Sequence, residues 1–326
     1  MAKTNIPLRS PIRWFGGKGQ LVRRLLPVLD GIPHRHYCEP FGGGASVLLA
    51  KAPPGGVETY NDIDGALYDF FTVLADPEDF ERFYRLVALL PVSRRIYNEY
   101  RATWRDERDR IKRVAKWYYI ARQSFGGHFA HSFGTVVTNA DNNMASTSSK
   151  WLSILEMLPE IHARLRRVQI ENADWRVVIA RYDTPETLFY CDPPYPHSTR
   201  RGEKYEYEMT DDDHRELVAA LLNIRGRAVV SSYPNVLYAP LEDAGWRRIE
   251  WQTACYAAAR TRGTNILGAN AANRMQPRTE CVWVSPETQP GIQLAALPTP
   301  TQAASDNHRN LPLFTWTDEA PCREQN

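Results

Sequence analysis

An aspartate, two prolines and a tyrosine close the apolar run Leu188-Phe189-Tyr190-Cys191, and here residue types and spacing most directly spell out a reaction. A strand that stops in Asp192-Pro193-Pro194-Tyr195 leads its backbone rigidly out of a sheet, because proline fixes φ and donates nothing to a ladder. Asp192 and the Pro193 carbonyl can then accept hydrogen bonds from an amino group. That keeps the nitrogen lone pair available for in-line attack on a sulfonium methyl. Tyr195 offers a face for a heterocyclic base, worth roughly 1–3 kcal/mol by analogy with single-strand stacking. A base reached in this way must first leave its duplex.

Two further motifs have the composition of a nucleoside-like ligand site. Glu39-Pro40-Phe41-Gly42-Gly43-Gly44-Ala45-Ser46 is a Gly-rich turn between a strand and a helix, where small residues let the backbone approach a ligand closely. Val47 stands where a dinucleotide fingerprint has its third Gly. Asn61-Asp62-Ile63-Asp64 ends the next strand, and Asp62 lies about 20 residues beyond the first Gly, where a ribose diol would be held. Asp64 reads equally as a helix N-cap. Trp14-Phe15-Gly16-Gly17-Lys18-Gly19 superficially suggests a phosphate loop. Ile12 occupies the position of the first Walker Gly and Gly19 that of the Ser/Thr, so a nucleotide triphosphatase is excluded.

The elements that must position these motifs are α/β in pattern. Residues 37–41 read as a strand, 45–51 as a helix, 57–60 as a strand and 66–74 as a helix. A second run begins near Val168, with a helix from Trp175, a strand over 187–191, a helix over 211–222 and a strand over 227–231. Between the two, residues 76–165 lose strand periodicity and read as helices followed by a Gly/His/Ser/Thr-rich hairpin or loop around 126–138. The expected division is therefore 1–75 with 166–286 as one domain, 76–165 as an insertion, and 287–326, rich in Pro, Thr, Gln and Ala, as a mostly disordered tail.

With 326 residues, 43% of them hydrophobic, the chain can build a large core. The net charge of +2 conceals an uneven distribution. Residues 93–122 carry ten Lys or Arg against four acids, an excess of six, which suits either a solvated helix face or nucleic-acid phosphates. The five cysteines are scattered and never form C-x-x-C, which argues against disulfides and thiolate zinc and fits a reducing cytoplasm. His34/His36 and His128/His131 lack convergent partners, so no metal site is expected. No stretch approaches the length of a membrane span.

The three motifs, in this order, resemble those of the DNA adenine methyltransferase (Dam-like) family over about residues 11–285. The resemblance implies a Rossmann-like methyltransferase sheet with helices on both faces and an inserted, mainly helical target-recognition domain with a β-hairpin. It implies transfer of a methyl group from S-adenosyl-L-methionine to the N6 amino group of a flipped adenine in double-stranded DNA, in a bacterial or phage-infected cell. Trp14 and Lys18 would help hold the cofactor, Asp62 its ribose and Asp174 the neighbourhood of its adenine ring. Asp192 would serve cofactor and target. Glu39, Phe41, Gly42 and Gly44 complete the expected cofactor site, and Asp192, Pro193, Pro194 and Tyr195 the catalytic one.

The segment Arg122–Gly134 departs from the Asn/Arg-rich loop of GATC-specific members, so GATC is not predicted. Ser124, His128 and His131 are the candidates for base reading, with Arg94, Arg95, Arg122, Arg200 and Arg201 as further DNA contacts. Asn310-Leu311-Pro312-Leu313-Phe314 resembles the peptide by which replication proteins dock on the DNA sliding clamp, through Leu311, Leu313 and Phe314. Three alternatives stand beside this reading. An amino-cytosine methyltransferase shares the lone-pair chemistry, although Asp rather than Ser at position 192 favours adenine. A cleavage enzyme lacks its Lys, since Leu188 stands two positions after Glu186. A catalytically silent DNA-binding module would have no use for Trp14, Lys18, Asp62 and Asp192 together.

Overall fold

A computed structural model describes residues 7–14, 16–53, 55–137, 139–199, 206–255 and 276–286. Arg200 and Arg201, the tail from residue 287, and with it Leu311, Leu313 and Phe314, lie outside these described residues.

Seven strands form one twisted sheet: β1 (His36–Glu39), β2 (Val57–Asn61), β5 (Gln169–Glu171), β6 (Thr187–Cys191), β7 (Arg227–Ser232), β8 (Arg247–Cys255) and β9 (Gln276–Val284). Their order is β5-β2-β1-β6-β7-β9-β8. The first five run parallel, whereas β9 inserts antiparallel between β7 and β8. The chain works outward from β1 in one direction and returns to β6 on its other side. The β1/β6 boundary is thus the switch point of the sheet, where α/β folds open a crevice at the strands' carboxyl ends. Glu39 and Asp192 stand at those two ends.

The strands alternate strictly between two cores. Tyr37, Leu188, Tyr190, Val229, Val282 and Val284 face one, and Cys38, Phe189, Cys191, Ala228, Val230, Cys281 and Trp283 face the other. Both faces are apolar because both are covered. On the first side lie α1 (Val22–Asp30), α2 (Ser46–Ala50), α3 (Gly65–Ala75) and α7 (Ser146–Leu165). On the second lie α8 (Trp175–Tyr182), α9 (Asp211–Leu222) and α10 (Ala239–Asp243). Cys38, Cys191 and Cys281 are buried free thiols.

The remaining helices, α4 (Pro77–Ala88), α5 (Arg94–Thr103) and α6 (Arg110–Gln123), extend the first core outward through Phe83, Val87, Tyr97, Trp117 and Tyr118. Residues 76–165 therefore share one hydrophobic core with the sheet and do not form a body apart. The last residues of that segment also cover the sheet directly, since Arg164 of α7 bonds Glu58 of β2 at 2.6 Å. The paired hairpin sits at β3 (Ala140–Asp141) and β4 (Met144–Ala145). Residues 126–137, expected as a hairpin or loop, are a loop closed by the single Ser124–Phe133 bridge. Gly126 and Gly127 both have positive φ in the turn that opens it.

Candidate active site

Each site loop owes its shape to local chemistry. After β1 the chain turns through Gly42 and Gly43, the latter at φ 49°. A Cβ on Gly42 would be driven into the ring of Tyr60, which is fully buried and donates its hydroxyl to the Gly43 carbonyl at 2.8 Å. After β2, Asp62 turns back on that loop. Its carboxylate accepts from the Gly43 N–H at 2.8 Å and the Asp64 N–H at 2.9 Å. Asp64 caps α3 by accepting from Ala66 N–H at 2.8 Å. Asp174 caps α8 in the same way at Arg176 N–H, 2.8 Å, and forms an ion pair with the Arg176 guanidinium.

Asn61 joins the three loops. Fully buried at the end of β2, it donates to the Pro40 carbonyl at 2.8 Å and the Ala173 carbonyl at 3.0 Å, and accepts from Ala173 N–H at 2.9 Å. Its position within the Asn61–Asp64 motif was legible; its role as a three-way tie was not, because two of its partners come from other loops.

These loops surround a cavity of about 730 Å³ at the switch point, within the roughly 300–1,000 Å³ of small-molecule clefts. Trp14, Lys18, Glu39, Phe41, Gly42, Gly44, Asp62, Asp174, Asp192, Pro193 and Pro194 all line it. The sheet thus gathers every residue expected at the cofactor site. Phe41 and Trp175 form an aromatic wall, with ring centroids 6.1 Å apart. Trp175, immediately after Asp174, was not anticipated, because its position reads equally as the first buried residue of a helix. Among the described residues the lining is acidic. Glu39, Asp62, Asp64, Asp174, Asp192, Glu206, Glu208 and Asp213 outnumber Lys18, Arg105 and Arg176.

Burial governs the protonation of these groups. Removal from water pushes Asp62 up to about 6, although backbone N–H groups of Asp64 and Gly43 work against it. It pushes Glu39 up to about 8, against the hydrogen bond that Tyr37 donates at 2.7 Å. Asp192 rises to about 6 through burial, despite Lys18, with Glu280 adding its repulsion. For Lys18, burial would strip the proton, but Asp192 and Glu280 more than offset it and hold the ammonium charged. Lys18 Nζ lies 2.7 Å from Asp192 Oδ1, donates to the Gly16 carbonyl at 3.1 Å and sits 4.6 Å from the Tyr195 ring centroid.

Tyr195 does not line the cavity. It is 5% exposed, its hydroxyl donates to Glu280 Oε2 at 2.7 Å, and the edge of Tyr233 meets its ring at 4.7 Å. Glu280 belongs to β9, and nothing in its local sequence singles it out.

The description of the D12 class N6 adenine-specific DNA methyltransferases matches residues 14–253. The chain belongs to this family. It is an N6 adenine-specific DNA methyltransferase, which decides the choice between adenine and cytosine, and its strand order is the Rossmann-like methyltransferase sheet. The Type II methyltransferase M1.LlaDCHI of Lactococcus lactis subsp. cremoris is 23% identical over 211 residues, covering 60% of this chain and 68% of that protein.

The expected DNA contacts of this methyltransferase divide by position. Arg94 and Arg95 are exposed at the start of α5, with Arg94 bonded to Thr135 and lying over Phe133. Arg122 is half-buried and donates to the Lys150 carbonyl at 3.2 Å. His128 and His131 line the cavity, with Arg101 donating to the His131 carbonyl at 2.8 Å. Ser124 is withdrawn altogether. It is fully buried, donates to the Ile120 carbonyl at 2.8 Å, accepts from Ala130 N–H at 3.1 Å and bonds the Tyr97 hydroxyl at 3.0 Å. Base reading by Ser124 is corrected accordingly, since its hydroxyl is already committed to closing the loop. Part of the basic excess is internal as well: Arg110 and Arg113 bind Asp69, and Lys116 binds Glu107. Among the described residues no group of three or more His, Cys, Asp or Glu could hold a metal ion, and no helix is long and apolar enough to cross a membrane.

Proposed function

We propose that the acidic cavity binds S-adenosyl-L-methionine, and that an adenine extruded from DNA and held at Asp192 is methylated by in-line attack of its amino nitrogen, with the sulfur–methyl bond breaking to release the neutral thioether and one amino proton lost to solvent. The observation that carries this reading is the charge of the cavity, at the switch point of the sheet. Carboxylates outnumber cations there, and burial has pushed two of them up to about 6. Such a lining repels phosphates and favours a cationic ligand. When bound, the donor supplies a sulfonium methyl that is electrophilic without metal assistance.

The chain's own residues have distinct tasks in this reading. Asp62, preset by Gly43 and Asp64 N–H groups, has lone pairs left for a ribose diol. Phe41 and Trp175 give an apolar wall for an adenine ring, with Asp174 beside it. Asp192 and the Pro193 carbonyl accept from the target amino group and keep its lone pair directed at the methyl carbon. Lys18 now covers the ring face and carboxylate oxygen that the target would use, so it yields them as the base enters. Arg94 and Arg95, exposed at the start of α5, would meet phosphates, while His128 and His131 would read or hold the base at the cavity mouth.

The test is incubation of the enzyme with labelled donor and mixed-sequence DNA, followed by nucleoside analysis and site mapping. N6-methyladenine is expected. Asp192→Ala should abolish transfer with DNA affinity largely intact, and Asp62→Ala should weaken donor binding. Substantial turnover by the first variant, or an unchanged donor Kd for the second, would sink the assignment.

A further inference from the structure

We propose that Glu280, on the last strand of the sheet, is a positioning residue for the catalytic segment: it takes the hydroxyl proton of Tyr195 and thereby leaves Asp192 open to the target amino group. This rests on the reading of Asp192 given above.

Strand β9 runs antiparallel to β7, with Cys281 opposite Ser232. Glu280 thus arrives at the carboxyl edge of the parallel strands, where Tyr195 emerges from β6. It is 8% exposed, in a strand whose next four residues, Cys281 to Val284, are buried and apolar. A carboxylate in such a place costs several kcal/mol unless bonded partners offset it. The partner is Tyr195, whose hydroxyl donates to Oε2 at 2.7 Å.

A phenol has one proton to give, and two carboxylates stand within its reach. The Tyr195 hydroxyl also stands close enough to Asp192 to favour its charged form. The shared proton is directed at Glu280, and the Asp192 oxygens remain acceptors. The remainder of the ring is fixed by weaker contacts, Lys18 over its face and the Tyr233 edge, the latter itself beneath the Arg278 guanidinium at 5.1 Å. Arg278 donates to the Thr199 carbonyl at 3.3 Å, which fastens the far side of this loop to β9. The hydroxyl bond is the directional element of the set. Without the Glu280 carboxylate the phenol turns to Asp192 and competes with the substrate for it.

Single-turnover kinetics on Glu280→Ala, Glu280→Gln, Tyr195→Phe and the Glu280→Ala/Tyr195→Phe double variant test this. Glu280→Ala should lower kcat about 10-fold or more, the rate equivalent of one hydrogen bond to a charged group. The KM for the donor should stay within about 3-fold, as expected when a transition-state interaction alone is lost. Glu280→Gln, which keeps an acceptor, should restore most of the rate. The double variant should be no slower than Glu280→Ala, because removing the phenol removes the competitor. Wild-type kcat in Glu280→Ala, or losses that multiply in the double variant, would overturn the proposal. If Glu280→Ala fails to fold, the comparison of Glu280→Gln with Glu280→Met decides: the first, which keeps an acceptor, must retain kcat and the second, which has none, must lose it. Asp192→Ala runs alongside. An active Asp192→Ala refutes the catalytic reading itself, whereas an inactive one with an unaffected Glu280→Ala refutes this inference alone.

Discussion

Replacing Lys18 by methionine removes the ammonium paired with Asp192, the carboxylate proposed to receive the target amino group, while keeping the side chain's length. Lys18 Nζ and Asp192 Oδ1 are 2.7 Å apart, and the Lys18 side chain is 6% exposed. At an effective dielectric of about 20, that separation corresponds to an attraction of roughly 6 kcal/mol. At 1.36 kcal/mol per pH unit this is roughly 4 units of proton affinity at Asp192. Water entering beside methionine recovers much of this, so the expected displacement is at least about 1 unit. The ionised carboxylate is the stronger acceptor from the amino group and supports the positive charge that develops on its nitrogen. The wild-type rate should therefore rise with pH through about 6, the value to which burial pushes Asp192. In Lys18→Met the same rise should move to above about 7, so that activity lost at neutral pH returns in alkali; Lys18→Arg should keep the wild-type profile. The assay is kcat/KM for DNA against pH at saturating donor, which reads Asp192 before the base displaces Lys18 and keeps Asp62, also near 6, out of the profile. An acid limb unmoved in Lys18→Met would refute the claim that this ion pair keeps Asp192 ionised.

Two other outcomes follow from the buried groups. Glu39 rises from 4.5 to about 8 on folding, so the folded state holds its proton more tightly; its contribution to stability should be fullest below pH 4.5 and be lost as pH rises to about 8. Glu39→Gln should flatten that part of a denaturation-midpoint profile, and an unchanged slope would assign the pH dependence elsewhere. Ser124→Ala should destabilise by about 1–3 kcal/mol, because the Tyr97 hydroxyl and Ala130 N–H lose a buried partner. Its sequence preference on a randomised DNA library should match wild type, and a changed preference would restore Ser124 as a base-reading residue.

The motifs were legible in the sequence because their chemistry is local. A Gly-rich turn forms where Tyr60 leaves no room for a Cβ, and Asp192-Pro193-Pro194-Tyr195 ends its strand whatever lies next to it. The helix over residues 211–222 was equally plain, since Thr210 and Asp213 cap it reciprocally. Helices on both faces of the sheet were expected from the family resemblance, and the burial of every residue of Thr187–Cys191 agrees with it. The tertiary structure decided what crosses between segments. Strand order at β1 and β6 brings Lys18 to Asp192, the antiparallel insertion of β9 delivers Glu280 to Tyr195, and Asn61 spans three loops. It also buried Ser124 and paired Arg110 and Arg113 with Asp69, which composition alone did not suggest. The physical reason is the same in each case: residue spacing encodes turns, caps and faces, whereas sheet register and shared burial determine which distant side chains meet and which polar groups are consumed in meeting.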